Sequence, residues 1–334
     1  MEEQIAIWGK DIPYNTGEDK LSLMDIHPEY NFIDMFIRHP GIFSKKEDID
    51  DFSGNETNIY KEEIQKGPAK PTFDDEPFLI PYLKEGSDRA MIIVPGGGYL
   101  TKSMDNEGRE IAGIFHAAGI SSFVLWYRSY PYLHPVPCLD LQRAVRYVRH
   151  HADAYGIDRN KVGIIGFSAG GNCCGNLVNI LRNKPVEYEG YEQDEVDAED
   201  AMPALAGLIY PALDLERQKV FTAVLIGKDA YRDKTQRDRM ATLLTQKTQI
   251  RSDSPPQFLC HAKNDSLVNW QCSQDYYDAL LEKGVIARLV LLKAGGHGFG
   301  SCMQKGIFGL LAKRAREWLP AFTSWANGLF DAMP

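Results

Sequence analysis

No run of eighteen apolar residues occurs in the 334-residue chain, which excludes a membrane-spanning helix. The opening Met-Glu-Glu-Gln-Ile-Ala-Ile-Trp8 has no positive segment followed by an apolar one, so no secretory leader is legible. Cysteine is sparse: Cys138, Cys173, Cys174, Cys260, Cys272 and Cys302 show no C-x-x-C or other metal spacing. Reduced thiols in a cytoplasmic protein are the simplest reading, with no metal. Basic charge is also short, with 37 Lys and Arg against 46 Asp and Glu and a net charge of −9. Without clustered cations, nucleic acid and anionic membrane surfaces are poor partners, and a neutral small molecule fits better. Neither the P-loop pattern nor the dinucleotide fingerprint is matched, so no nucleotide cofactor is implied.

The chain does hold enough apolar residues for one large core, 44% hydrophobic and 11% aromatic, at a length near the upper limit of a single domain. Composition does not decide between a monomer and a homo-oligomer. From about Glu76 onward, apolar strand candidates alternate with amphipathic helix candidates. Arg89–Val94, Ile120–Trp126, Val162–Ile165, Leu205–Tyr210, Pro256–Ala262 and Ile286–Leu292 read as buried strands. Helices are expected around Gly108–Ala118, over Leu139–Ala154 and directly after Ser168. This alternation predicts a mostly parallel sheet with right-handed crossovers and a site at the carboxyl ends of the strands.

Lys161-Val-Gly-Ile-Ile-Gly166-Phe-Ser168-Ala-Gly170-Gly171 joins an apolar run to G-x-S-x-G, the nucleophile-elbow pattern. There a strand passes straight into a helix, which forces the serine into a strained turn and lifts Oγ above the sheet. Flanking glycines remove the Cβ atoms that would clash. A five-residue pattern recurs by chance, so an ordinary turn serine competes until the neighbours are weighed. Upstream, Pro95-Gly-Gly-Gly-Tyr99 offers bare amides to a carbonyl oxygen on which charge develops. Gly97 or Gly98 N–H, with Ala169 N–H, is the candidate oxyanion hole; a flexible loop is the alternative. Downstream, Asp265 follows a strand and His297 stands among glycines in Gly295-Gly-His-Gly298, suited to orient and to act as a general base. The bland readings are a solvated loop aspartate and a lone surface or metal-binding histidine, although His297 has no second ligand at metal spacing. Asp214, one strand earlier, is the runner-up acid.

The order Ser168, Asp265, His297 is that of the α/β-hydrolases. On Pro95–Tyr99, Phe123–Arg128, Gly166–Gly171, His261–Val268 and Gly295–Gly298, the chain resembles that superfamily over roughly positions 78 to 320. More narrowly it resembles the compact acetyl, acetylxylan and feruloyl esterases. The resemblance implies an α/β-hydrolase fold and hydrolysis of short acyl esters, often acetyl groups on plant-polysaccharide fragments such as xylo-oligosaccharides, without metal or cofactor. Many relatives carry histidine where this chain has Pro95, and several where it has Asn172. Neither position bears nucleophile, base or acid, so the departures concern the acyl pocket, where Tyr99 and Asn172 are the candidate substrate contacts. An amide hydrolase, either peptidase or arylformamidase, could use the same groups. A catalytically silent binding module on the same scaffold is the reading from another class.

Residues 1–76 read as an N-terminal extension packed on the core, with Phe32, Met35, Phe36 and Ile37 on a short helix; residues 77–330 read as the catalytic domain. The acidic stretch Glu187–Asp200 is expected to be a solvated loop. Residues 217–251 should form a small helical cap over the site, with Phe221, Leu225 and Tyr231 facing either substrate or core. Arg128 reads as an anchor for a carboxylate, Asp140 as a partner of its Arg-rich helix, and Tyr130 and Tyr132 as candidates for a sugar-facing rim.

Overall fold

A computed structural model describes residues 3–15, 76–99, 102–129, 132–304 and 306–333. The expected helix through Phe32 and Ile37 lies outside these residues, as do Tyr130 and Pro131. One sheet holds eight strands in the order β1-β2-β4-β3-β5-β6-β7-β8. They are β1 (Ile5–Ala6), β2 (Phe78–Tyr82), β3 (Ala90–Val94), β4 (Ser121–Trp126), β5 (Val162–Phe167), β6 (Ala206–Ile209), β7 (Gln257–Ala262) and β8 (Ala287–Leu292). Strands β3 to β8 run parallel, while β2 joins β4, and β1 joins β2, antiparallel. Each expected strand is present, with ends displaced by one residue or two.

The helices used below are α1 (Glu110–Ala117), α2 (Val136–His150), α3 (Ala169–Asn176), α4 (Lys219–Ile226), α5 (Lys234–Leu244), α6 (Gln271–Glu282) and α7 (Trp318–Asp331). Every residue of β3, β4, β5 and β7 is buried, as strands covered on both faces must be. Alternation divides them between two layers. Ile92, Ile164, Leu208 and Leu259 pack with Leu141, Val145 and Val148 of α2 and Tyr276 and Leu280 of α6. Met91, Ile93, Ile165 and Phe258 pack instead with Ile111 and Phe115 of α1 and Trp318, Phe322 and Phe330 of α7.

The acidic stretch corrects one expectation. Most of Glu187–Asp200 is exposed, as a solvated loop should be, but it does not extend: Arg143, Arg146 and Arg149 recur at a three-residue spacing on α2 and hold it down. Asp194 pairs with Arg143 at 2.5 Å, Asp197 with Arg143 at 3.1 Å and Arg146 at 3.6 Å, and Asp200 with Arg149 at 3.1 Å. Asp194 also caps the short helix Glu195–Ala198 through the Val196 and Asp197 amides. Opposite charge at matched spacing thus outweighs the mutual repulsion of the acids.

Arg128 and Asp140, both fully buried, form an ion pair, Nη2 to Oδ1 at 2.6 Å. Asp140 also accepts from the Arg128 backbone amide at 2.9 Å and from Trp8 Nε1 at 2.8 Å. Arg128 Nη1 donates to the Pro13 carbonyl at 2.6 Å, so the pair fastens the first described segment to the sheet. Tyr132 lies under the same guanidinium, 5.2 Å from ring centre to Cζ, and is buried there instead of lining a rim. Removing one partner strands a buried charge, so Arg128→Ala should lower stability by about 3–5 kcal/mol in urea titrations. Replacing both together, Arg128→Met with Asp140→Leu, should cost much less.

Candidate active site

β5 ends at Phe167 and α3 starts at Ala169, leaving Ser168 alone in the turn at φ 50 and ψ −112. This left-handed conformation costs a serine on the order of 1–3 kcal/mol, so the surroundings must impose it. They do so by close approach. A Cβ on Gly166 would lie 2.1 Å from the Gly170 carbonyl oxygen, and one on Gly170 would lie 2.0 Å from the Val94 carbonyl oxygen. Only hydrogen fits at either place, and the Ser168 amide is fixed to the Ile209 carbonyl at 2.9 Å. The serine remains partly exposed while its neighbours Phe167 and Ala169 are buried.

His297 follows β8 between Gly296 at φ 71 and Gly298 at φ 72, turns that glycine adopts without penalty. Its Nε2 lies 2.9 Å from Ser168 Oγ and its Nδ1 2.7 Å from Asp265 Oδ2. A carboxylate only accepts, so Nδ1–H donates to Asp265 and Nε2 is left to accept from the serine hydroxyl. Asp265 Oδ1 accepts from the Leu267 and Val268 amides, each at 2.9 Å, which locks the carboxylate plane. Burial disfavours charge on both groups, and their attraction overcomes it. The Asp265 carboxyl is held well below the usual carboxylate range by His297 and by a hydrogen bond from His261. The His297 pKa is raised by the Asp265 charge and hydrogen bond, with a further contribution from Glu107. Asp214 takes no part and pairs with Arg217 at 3.3 Å.

Around these three stand groups that motif reading did not single out. His261, fully buried on β7, donates from Nε2 to Asp265 Oδ2 and to the Val268 carbonyl, both at 3.1 Å, while its Nδ1 lies 2.8 Å from the Ser273 hydroxyl. Glu107, in a π-type turn Asp105–Arg109 ahead of α1, accepts from the Gly96 amide at 2.7 Å and from the Tyr210 hydroxyl at 2.8 Å. His261 stands inside one of the motifs and Glu107 just ahead of the expected helix at Gly108, but neither has a spacing that reports its contacts.

Gly97 and Gly98 follow β3 at φ 139 and φ 66, and Ala169 opens α3. Among the described residues none of their amides has a backbone acceptor, which leaves them able to meet a developing oxyanion. Tyr99 and Asn172 are placed differently from the substrate contacts expected of them. Tyr99 is 1% exposed and Asn172 fully buried, with the Tyr99 hydroxyl donating to Asn172 Oδ1 at 2.9 Å. Asn172 Nδ2 donates to the Ala212 carbonyl at 2.6 Å, and its Oδ1 also accepts from Asn176 Nδ2 at 2.9 Å. Polar groups so fully engaged brace α3 from behind and do not face a ligand.

The segment 217–251 is helical, through α4, α5 and shorter turns. Leu225 and Tyr231 belong to the main core. Phe221 is only partly buried, meets Tyr99 in a tilted ring contact with centres 5.4 Å apart and packs against Ala212, Val268 and Cys272 beside the Asp265 loop. Among the described residues no three His, Cys, Asp or Glu side chains are grouped to hold a metal, and no helix is long and apolar enough to cross a membrane. A hydroxyl within reach of an imidazole acceptor should be open to phosphonylation. A fluorophosphonate probe should label the chain at Ser168, and both Ser168→Ala and His297→Ala should abolish labelling with unchanged circular dichroism; labelling elsewhere would separate the geometry from reactivity.

Residues 78–280 match the BD-FAE family. Endo-1,4-β-xylanase B of Butyrivibrio fibrisolvens is 30% identical over 250 residues, covering 72% of this chain and 37% of that protein. An acetylxylan esterase of Xylanibacter ruminicola is 28% identical over 262 residues, covering 77% of this chain and 49% of that protein. The chain therefore spans half or less of the length of these relatives. Among solved structures, an acetyl ester-xyloside bifunctional hydrolase of Caldicellulosiruptor lactoaceticus superposes with a TM-score of 0.62 at 30% identity, covering 76% of this chain and 90% of that one. With the parallel sheet and its flanking helices, these matches assign the α/β-hydrolase fold, and the chain belongs to the BD-FAE family.

Proposed function

We propose that the chain is a serine carboxylic-ester hydrolase that removes short acyl groups, acetyl above all, from plant-polysaccharide-derived oligosaccharides such as xylo-oligosaccharides. The observation that carries this reading is the continuous hydrogen-bonded chain Ser168–His297–Asp265, at 2.9 and 2.7 Å, beside the open amides of Gly97, Gly98 and Ala169. Ser168 Oγ attacks the ester carbonyl as its proton passes to His297 Nε2, and Asp265 stabilises the imidazolium that forms. The tetrahedral oxyanion is met by the Ala169 amide and that of Gly97 or Gly98. Collapse expels the alcohol, which takes the proton from His297, and leaves an acyl-enzyme. Water then attacks through the same base and frees the acid.

The acetyl and xylan assignments draw on the names of the relatives, two of which refer to acetyl esters. We take Phe221, tilted against Tyr99 beside the Asp265 loop, as the side chain of segment 217–251 that limits the acyl chain. The negative charge of −9 suits a neutral sugar better than an anionic substrate. A homo-oligomer and a cytoplasmic setting are compatible with this reading and do not contribute to it.

His297 accepts a proton only when neutral. Its pKa is raised above the ordinary value of ~6.5, so kcat/KM should climb with pH through a midpoint above that value. Asp265, held below the usual range, stays ionised throughout, and a flat rate from pH 5 to 8 would remove His297 as the base. Rates on p-nitrophenyl acetate, butyrate and octanoate, acetylated xylo-oligosaccharides, an arylformamide and a dipeptide amide should favour the acetyl esters. Ser168→Ala should lose about 10⁴-fold or more in kcat, and wild-type rates in that variant, or a preference for the amides, would defeat the proposal. Phe221→Ala should raise turnover of octanoate relative to acetate.

A further inference from the structure

We infer that Glu107 is a positioning residue of this site: its carboxylate ties the loop bearing the Gly97 and Gly98 amides to the loop bearing His297, and its negative charge faces the imidazole. The role rests on the ester-hydrolase reading for its consequences in rate, and on the geometry alone for its effect on His297.

A relay of hydrogen bonds carries the link. Glu107 Oε2 accepts from the Gly96 amide at 2.7 Å, at the start of the Gly97–Gly98 turn. Glu107 Oε1 accepts from the Tyr210 hydroxyl at 2.8 Å, whose oxygen in turn accepts from the Gly300 amide at 2.9 Å, three residues beyond His297. Two loops that follow different strands, β3 and β8, are thereby fixed to one carboxylate. Their spacing is tight: a Cβ on Gly96 would come 2.8 Å from Glu107 Oε2 and 2.9 Å from Ser168 Cβ. Tyr210 sits at φ 39, with its ring centre 5.0 Å from that of His297 and 4.5 Å from that of Phe299.

Glu107 is 4% exposed, and no lysine or arginine is paired with it among the described residues. A buried carboxylate without a cation is destabilising unless donors satisfy it, and here both oxygens are met by donors. Two donors aimed at two oxygens suit the ionised form, because a protonated carboxyl would turn its own hydrogen toward one of them. Burial pushes the Glu107 pKa up, while the Tyr210 and Gly96 hydrogen bonds and the neighbouring His297 work the other way. The groups that face His297 are Asp265, Glu107, the Ser168 hydroxyl and Tyr210, with His261 on the far side of Asp265. Of these only Asp265 and, in the ionised form that its two donors favour, Glu107 contribute negative charge, since burial and Glu107 keep the Tyr210 hydroxyl protonated.

Glu107→Gln keeps the shape, removes the charge and turns an amide donor toward one of the two donors now satisfied. Expected are a fall of about tenfold or more in kcat on p-nitrophenyl acetate and a downward shift of roughly one unit in the pH midpoint. NMR titration of the His297 imidazole should show the same shift without any substrate. Tyr210→Phe cuts the link to Gly300 but leaves the carboxylate and its Gly96 amide donor in place, so kcat should fall while the midpoint moves less than in Glu107→Gln. A folded Glu107→Gln variant with wild-type midpoint and imidazole titration overturns the inference, as does wild-type kcat in Tyr210→Phe, which decides the matter if Glu107→Gln does not fold. Absence of ester turnover in the wild type would refute the proposed function instead, and the NMR titration would still test the influence of Glu107.

Discussion

Backbone meeting backbone at the end of β3 is the constraint on which the rest of the molecule depends. The elbow can press onto Val94 only because Gly170 carries no Cβ, and Ser168 can hold a left-handed turn only because Gly166 leaves room for the Gly170 carbonyl. That contact aligns the Ala169 amide with the Gly97–Gly98 turn, and it fixes the height from which the serine hydroxyl meets His297. The energy that imposes such a conformation is spread through the sheet, in strands buried on both faces and layered between α2 and α6 on one side and α1 and α7 on the other.

Much of this could be read from the chain, because the features involved are local or periodic. An apolar run of strand length, a glycine pair and a serine report a turn whose geometry is decided within a few residues, and β3, β5 and β7 appear where the apolar runs predict. Groups that act across the sheet left less trace. Glu107 and Tyr210 are 103 positions apart, and nothing in the residues around either reports that they touch. The docking of Glu187–Asp200 was obscured for a related reason: an acid-rich stretch extends when alone and folds down when a matching row of arginines stands opposite. That row was present in Arg143, Arg146 and Arg149, but its partner lies some fifty residues on. Tyr99 and Asn172 flank the site in sequence, yet their mutual hydrogen bond draws both inward.

Charge is distributed with a consistent logic. At the base of the site, Asp265 is held by two imidazoles and two backbone amides and keeps its ionisation. Farther off, Arg128 and Asp140 neutralise one another in full burial and use their remaining hydrogen-bonding capacity on Trp8 and Pro13. The same economy of donors governs Glu107, except that its donors are one amide and one phenol in place of a cation. Each of these buried charges thus fastens separate segments of the chain, which is how a long chain with short strands acquires a firm floor beneath Ser168.

All six thiols lie buried. Burial pushes Cys272 and Cys302 to about 11 and raises Cys173, Cys174 and Cys260 well above the usual thiol value, whereas hydrogen bonds with Cys173 and His134 lower Cys138 to about 6 and only its enclosure shields it. Such sulfurs are sluggish toward maleimides while the native packing lasts. A lone cysteine engineered at an outward position of the helical segment 217–251, for instance in place of the 43%-exposed Leu243 on α5, would then be the preferred attachment point for a fluorophore. The molecule thereby comes with an optical background already dark, so a single dye on that segment would report on its surroundings alone.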